Sequence, residues 1–371
     1  MRRILIVINS SRLSGAELSM ITQMKFLRTC NELVVVVPAG SVLIQQFEGY
    51  GYRVIAMDMV RFAKRRAFGE QLRHLVHMLK QSAHLSRIVF REDIDIVWAN
   101  SVQSLLYTFS VRFCTRAKVI WTVRDAISTR WHGFLFSIFA TQVICISEFI
   151  SRQLPASKKS KVIYNGVDLD VWSPDKVGGA MYRLKSEEAP TVCIGNIGQL
   201  IPWKNQLHFI RIARIISNAI PNAHFFIIGD DLFADYPDYR QELKREIMDA
   251  DMVDRITFLG YNDDIKAVMA GLDMLIHTAI NEPLGRVILE AMAMQKIVFS
   301  YASGGVAEII DNGKDGFLVP ANDYEALAKK LLWFIEQSPE FQYSVQKSAR
   351  AKVAQKFNAR LLAEQITRVV E

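Results

Sequence analysis

The stretch NEPLGRVILEAMA, residues 281–293, carries two glutamates of different character. Glu282 stands just before a Pro283–Gly285 bend. Glu290 stands in the helix expected from near Gly285, where it is the only charge between Val287 and Gln295 and apolar residues occupy nearly every angular position. A carboxylate buried in such surroundings costs on the order of several kcal/mol unless something hydrogen-bonds to it. A loop carboxylate, a bend, a helix N-terminus and a buried carboxylate in succession describe a pocket for a polar, anion-bearing ligand. Helix amides suit phosphates, and the carboxylates accept hydrogen bonds from the hydroxyls of a ribose or a sugar. The plainer reading has Glu282 solvated in a loop and Glu290 paired with a basic neighbour in the core.

Other turns of small residues invite the same question. In IGQLIPWKNQ (197–206), glycines at 195 and 198 leave the backbone room, and Lys204 stands at the entrance of the next helix. A lysine there places a point charge on a diphosphate, or is an ordinary exposed helix-start lysine. NSSRLSGAELS (9–19) is a turn into a helix whose amides form an anion site, but its Ser14-x-x-Glu17 is also a capping box that needs no ligand. In YASGGVAEIIDNGKDGFLVP (301–320), Gly304-Gly305 offers a second amide nest. No G-x-G-x-x-G followed by an acidic residue about 20 positions later occurs, which argues against a nicotinamide or flavin cofactor.

Metal chemistry finds no support. Asp93-x-Asp95 leads straight into the apolar run DIVWA and Asp168-x-Asp170 falls in a linker, so both pairs read as structural. The seven histidines show no ligand spacing, and the cysteines at 30, 114, 145 and 193 lie far apart. Neither a metal nor a disulfide framework is expected, and a reducing, cytoplasmic location fits.

The elements that must position these residues follow from the apolar pattern. Strand-like runs occur at 4–9, 32–37, 53–57, 95–99, 119–123, 142–146 and 161–165. The pattern restarts at 191–196, 224–230, 255–260, 273–278, 296–301 and 316–320. These runs are continuous rather than alternating, as in parallel strands covered on both faces, and segments of helical period such as 206–220 and 324–337 fill the gaps. The fold class is therefore α/β, with two Rossmann-like domains divided by the aperiodic stretch 168–190. Ligands of open parallel sheets lie beyond the carboxyl ends of the strands, so the expected site faces a cleft between the domains.

With 371 residues, half of them hydrophobic and 22% charged, the chain is globular material for two domains. A net charge of +7 attracts anions without choosing among nucleotides, anionic lipids and nucleic acid. The N-terminal run ILIVIN is too short for a signal peptide, and no apolar stretch reaches the ~20 residues that span a bilayer. Residues 61–92 hold eight Lys/Arg, among them Lys64, Arg65, Arg66, Arg73 and Lys80, against two Glu, with Leu72, Leu75, Val76 and Leu79 at helical spacing. Such a helix lies on an anionic membrane surface or packs on its own sheet with a solvated basic face. No recognition module supports a nucleic-acid partner.

Taken in order, these segments resemble the retaining glycosyltransferases of family 4, two-Rossmann (GT-B) enzymes with a Glu-x7-Glu motif. EPLGRVILEAMA followed by GGVAEIIDNGKDGFLV resembles their carboxyl-terminal signature, and SGAE their N-terminal glycine loop. VICISEFI and YNGVDLDVW resemble the segments closing their first domain, GQLIPWKNQ the diphosphate turn and IIGDD the following strand. The resemblance implies an acceptor-binding domain at 1–170, a nucleotide-sugar-binding domain at 171–356, and a C-terminal helix near 357–371 that crosses back. It implies that Glu290 accepts donor ribose hydroxyls, Glu282 lies beside the transferred sugar and Lys204 on the diphosphate. Gly15, Gly198, Gln199, Asp230, Pro283, Leu284 and Gly285 complete the donor side, and Arg124, Asp125, Ser147 and Asn165 lie on the acceptor side. It further implies a nucleoside-diphosphate sugar as donor, a glycan or lipid-linked acceptor of cell-surface polysaccharide or glycolipid synthesis, no metal or other cofactor, and work at the inner membrane face.

Three positions depart from the pattern. Gln199 stands where many relatives have a phosphate-binding arginine, leaving Arg286 or Arg124 to supply that charge. Arg124 stands in VIWTVRD, near where many relatives have a histidine; an arginine cannot act as a base, so its role is electrostatic or in acceptor binding. Gln295 replaces a glycine after the motif helix. The first two keep in view a binding subunit without turnover, and a nucleotide-sugar epimerase on the same fold is a further alternative.

Overall fold

The computed structural model describes residues 1–60, 68–127, 129–176 and 192–371. Lys64, Arg65 and Arg66, and most of the expected linker, lie outside them. The side chains of residues 68–72 are likewise outside the description, Leu72 among them. The chain forms two compact units, one of Met1–Gly166 with Ala359–Glu371, the other of Val167–Asn358.

The first unit opens with β1 (Arg2–Val7), α1 (Gly15–Leu27), β2 (Asn31–Pro38), α2 (Leu43–Gly49) and β3 (Arg53–Met57). It continues with α3 (Phe68–Arg91), β4 (Ile96–Ala99), α4 (Val102–Tyr107), α5 (Phe109–Cys114) and β5 (Lys118–Val123). Next come α6 (Arg130–Ile138), β6 (Gln142–Cys145), α7 (Glu148–Ser151) and β7 (Ser160–Val162). All seven strands are parallel, in the order β3-β2-β1-β4-β5-β6-β7. Helices on both faces remove water from the strands, which is why β2 could be the uninterrupted apolar run LVVVV.

The second unit repeats the plan with β8 (Val192–Ile197), α8 (Gln206–Ala219), β9 (Ala223–Ile228), α9 (Tyr239–Asp249), β10 (Ile256–Gly260) and α10 (Ile265–Gly271). It then runs through β11 (Met274–His277), α11 (Arg286–Ala293), β12 (Ile297–Tyr301), β13 (Phe317–Val319), α12 (Tyr324–Ile335) and α13 (Pro339–Lys356). Its six parallel strands are ordered β10-β9-β8-β11-β12-β13. Phe209, Phe225, Phe299, Phe317 and Phe334 fill its core. The last helix, α14 (Ala359–Val370), belongs to the first unit, where Leu362, Ile366 and Val370 share a core with Met20 and Met24.

Each expected strand is present, most with shifted ends. The run 4–9 stops at Val7, opposite the last residue of β4, and the run 161–165 at Val162, opposite the last residue of β6. The expected domain divide at 170 falls inside a turn of the second unit, in which Asp168 accepts the backbone N–H of Asp170 at 3.0 Å. Asp95 likewise serves the backbone, accepting from Arg3 at 2.8 Å. Among the described residues no group of side chains could hold a metal ion, and no helix is long and apolar enough to cross a membrane.

In each sheet the strand order reverses between the first strand and the fourth. Loops leaving those two strands therefore splay to opposite faces and open a crevice at the carboxyl edge. In the second unit the two strands are β8 and β11, in the first β1 and β4.

Candidate active site

Two loops meet at the crevice of the second unit. After β8 the chain turns at Gly198, whose N–H donates to Ile228 O (2.9 Å), and closes a 3₁₀ turn at Pro202–Lys204 before α8. A Cβ on Gly229 would lie 1.9 Å from Gly198 O, so this approach of two backbones needs a glycine there. After β11 the chain runs through Thr278 to Glu282 and the bend into α11. Buried Asn196 ties the two strands by donating to Ile276 O (2.8 Å) and Thr278 Oγ1 (3.2 Å), and Thr278 donates to Lys204 O (2.9 Å).

This scaffold brings Lys204 and Glu282 together across 78 positions, Nζ to Oε2 at 2.5 Å. Glu282 is buried, not solvated, and the same oxygen lies 3.2 Å from His277 Nε2. An ionised carboxylate only accepts, so the imidazole proton is on Nε2. Burial pushes the His277 ring below its ordinary value and keeps it neutral, against the opposing pull of Glu282. Burial alone would raise the Glu282 carboxyl, but the Lys204 charge and the His277 hydrogen bond hold it down to about 2. Sequence reading missed His277, which ends an apolar strand and has no ligand spacing to signal it.

Glu290 is buried as expected but is not alone. Arg286, one helical turn earlier, donates Nε to its Oε1 at 2.5 Å. The i, i+4 spacing was the available signal. Burial still raises the Glu290 carboxyl, with Arg286 opposing. The buried Nη1 of Arg286 has no hydrogen-bond partner among the described residues.

Gly304-Gly305 corrects a second expectation. Its amides do not form an open nest, because Gly305 N–H donates to Glu282 O at 2.8 Å. A Cβ at 304 would lie 2.2 Å from that oxygen, and one at 305 would lie 2.4 Å from Pro283 O. The pair braces the Glu282 loop, and Ser303 Oγ adds a bond from Asn281 N–H at 2.8 Å. Of the remaining donor-side candidates, Leu284 is buried and Gly285 N-caps α11 in a left-handed conformation (φ 104°). The Gln199 carbonyl accepts from Gln206, and Asp230, beyond β9, pairs with Arg240 at 3.2 Å.

The acceptor-side candidates gather at the carboxyl edge of the first sheet. Buried Arg124 donates Nε to Asn100 Oδ1 (2.6 Å), Nη1 to Asn165 Oδ1 (2.8 Å) and Nη2 to Gln23 Oε1 (3.4 Å). Asn100 and Gln23 are further residues that the sequence did not single out. Asp125 is exposed, and the Ser147 hydroxyl caps α7 through Ile150 N–H (3.1 Å). At Gly15 the capping box forms: Glu17 Oε2 accepts from the Ser14 N–H (2.9 Å) and hydroxyl (2.6 Å). Burial raises the Glu17 carboxyl against these bonds and the Arg124 charge. Arg73 and Lys80 are exposed, as are Leu75, Val76 and Leu79.

Comparison with known proteins assigns both units. Residues 14–171 match the model of Glycosyltransferase Family 4, and residues 184–352 match that of the Glycosyl transferases group 1. The chain is a group 1, family 4 glycosyltransferase. An Escherichia coli glycosyltransferase, the UDP-Gal:alpha-D-GlcNAc-diphosphoundecaprenol alpha-1,3-galactosyltransferase, is 25% identical over 312 residues, 76% of this chain and 77% of its own. The human alpha-1,3/1,6-mannosyltransferase ALG2 is 32% identical over 164 residues, 42% of this chain and 38% of its own. The crystal structure of Anabaena HepE in complex with UDP and glucose superposes with a TM-score of 0.82 at 25% identity, covering 100% of this chain and 99% of that one. The fold of the glycosyltransferase is thus GT-B, two parallel-sheet Rossmann-like domains.

Proposed function

We propose that the protein is a retaining glycosyltransferase that moves a sugar from a nucleoside-diphosphate sugar to a glycan or lipid-linked acceptor in the synthesis of a cell-surface polysaccharide or glycolipid. The observation that carries this reading is the buried Glu282 held between Lys204 and His277 at the head of α11. Burying charges at a crevice costs free energy that their pairing only partly returns, and this set has unfilled bonding capacity. The Lys204 ammonium has three donors, of which Glu282 takes one, and Arg286 Nη1 has none of its bonding satisfied.

A diphosphate meets these needs. Lys204, Arg286 and the amides opening α11 stabilise the negative charge that builds on it as the bond from the anomeric carbon to the phosphate oxygen breaks. Arg286 supplies the cation that Gln199 lacks. The acceptor oxygen bonds to the anomeric carbon on the same face, and its proton passes to the departing diphosphate. No protein base and no metal is required. Glu282, ionised at any ordinary pH, faces the sugar hydroxyls, and Glu290 the ribose. The relatives support the substrate classes: UDP and glucose occupy HepE, and the Escherichia coli relative is named for transfer from UDP-galactose to a diphospholipid-linked sugar.

Calorimetric titration with a panel of nucleoside diphosphates and their sugars tests the reading. One member should bind, and Glu290→Ala should weaken it at least tenfold, about 1.4 kcal/mol. Proton NMR of the product should show the donor's anomeric configuration. Absence of binding at millimolar concentration sinks the proposal; binding with an altered sugar and no acceptor points to an epimerase.

A further inference from the structure

The helix α6 is amphipathic in the inverted sense. Phe136 packs on buried Trp121 with ring centroids 6.1 Å apart, and Gly133 sits against the backbone of Gln153 and Leu154. The opposite side carries Trp131, Phe134, Leu135 and Ile138, exposed by 65, 45, 38 and 41%. These positions are i, i+3, i+4 and i+7, one continuous stripe. Trp131 and Phe134 stack on each other with centroids 5.8 Å apart, which arranges apolar surface without covering it. Single exposed apolar residues are ordinary, but a stripe led by a tryptophan marks a binding surface.

The stripe continues onto its neighbours. Phe109 of α5 packs edge-on against Phe139, the cap of α6, at 5.5 Å, and Phe113 beside it is 56% exposed. On the far side of α5, Ser110 bonds to Ser82 of α3 at 2.8 Å. The helices α3, α5 and α6 therefore form one outer layer, as right-handed crossovers onto one face of a sheet require.

The charge of this layer is one-sided. From Gln71 to the end of α3, and throughout α4, α5 and α6, the sequence contains no aspartate or glutamate. The same segments carry Arg73, Lys80, Arg87, Arg91, Arg112 and Arg130. An ordinary solvated helix mixes signs, as α9 does with Arg240, Lys244 and Arg245 against Glu242, Glu246 and Asp249. Aromatic and apolar residues beside cations, with acids excluded, are complementary to the anionic headgroups and acyl boundary of a lipid bilayer.

We propose that the α3–α5–α6 face of the first unit docks on an anionic bilayer, with Trp131, Phe134, Leu135 and Ile138 entering the interface. The anchor is thus α6, which follows directly on the loop bearing Arg124 and Asp125, rather than the basic segment 61–92 alone. The docking is independent of the donor chemistry, and its test needs neither donor nor acceptor, so the two readings fail separately.

The full-length protein is sedimented with vesicles of phosphatidylcholine alone and of phosphatidylcholine mixed with phosphatidylglycerol. Binding should require the anionic lipid and fall as salt rises. A variant with Trp131→Ser, Phe134→Ser and Leu135→Ser should bind at least about tenfold more weakly, while its thermal midpoint and donor affinity match the wild type. Trp131→Phe should bind normally but lose most of the vesicle-induced blue shift in tryptophan emission. Wild-type protein that ignores anionic vesicles, or a triple variant that binds as tightly as wild type, overturns the proposal. So does a wild-type dimer that the triple variant dissolves without any vesicle binding, which would assign the stripe to a second copy of the chain.

Discussion

Each sheet opens a crevice of its own by the same strand reversal, yet the two crevices are lined with different polar chemistry. At the edge of the second sheet, opposite charges are paired in close quarters, Lys204 with Glu282 and Arg286 with Glu290, and Arg286 keeps an unsatisfied donor. At the edge of the first, buried Arg124 donates to the neutral amides of Asn100, Asn165 and Gln23, and its charge also acts on the buried Glu17 carboxyl. A pair of charges can exchange partners when an anionic ligand arrives. The Arg124 guanidinium, held by three amide oxygens, ties the loops after β4, β5 and β7 to α1. On the proposed function, the first arrangement serves the diphosphate and the second walls the acceptor.

Substitutions at one member of each set sharpen this contrast. Lys204→Ala should have the largest effect, lowering kcat by about 10²–10³-fold, as expected for a lost donor to developing charge. Steady-state assays with the donor found by titration would read it, and a change confined to KM would break the proposed division. Arg124→Ala should act on stability instead. It leaves the buried oxygens of Asn100 and Asn165 without their donor, at a cost of about 2–3 kcal/mol. Urea unfolding should reveal that loss while donor affinity stays within twofold; a lost donor affinity with unchanged stability would erase the difference between the edges.

His277 should give the smallest effect. If it acts by orienting Glu282, His277→Ala should lower kcat about tenfold, roughly 1.4 kcal/mol, and leave KM for the donor nearly unchanged. His277→Gln, which retains an N–H donor of similar reach, should recover most of the loss. Equal loss in both variants, tracking thermal stability, would reduce His277 to packing.

Much of this was legible in the sequence, and the reasons are physical. Strands buried on both faces must be apolar at every position, so runs such as LVVVV announced themselves and the parallel order followed. Glu290 stood out because a carboxylate among apolar residues is costly, and Glu282 because it precedes a bend and a helix N-terminus. Arg286 was within reach of the same logic, one turn before Glu290, but lay outside the turns judged to be buried. The pairing of Lys204 with Glu282 was not legible as a contact, since it joins loops from two strands and no local period links them. Gly304-Gly305 misled for a related reason. Small residues reveal that backbone approaches closely, but not whether it meets a ligand or, as here, the chain's own Glu282 loop. Arg124 was visible as a charge after a strand, while its three amide partners came from α1 and the loops after β4 and β7.

The return of α14 to the first unit has a consequence for the order of synthesis. Leu362, Ile366 and Val370 complete the core that Met20 and Met24 begin, and they are translated after the whole of the second unit. Nascent domains usually fold in the order in which they leave the ribosome. Here the order is inverted: the second unit has its entire sequence available while α1 still lacks its cover. The first unit must wait with an open apolar seam, and a chaperone or an early intermediate has that interval in which to act.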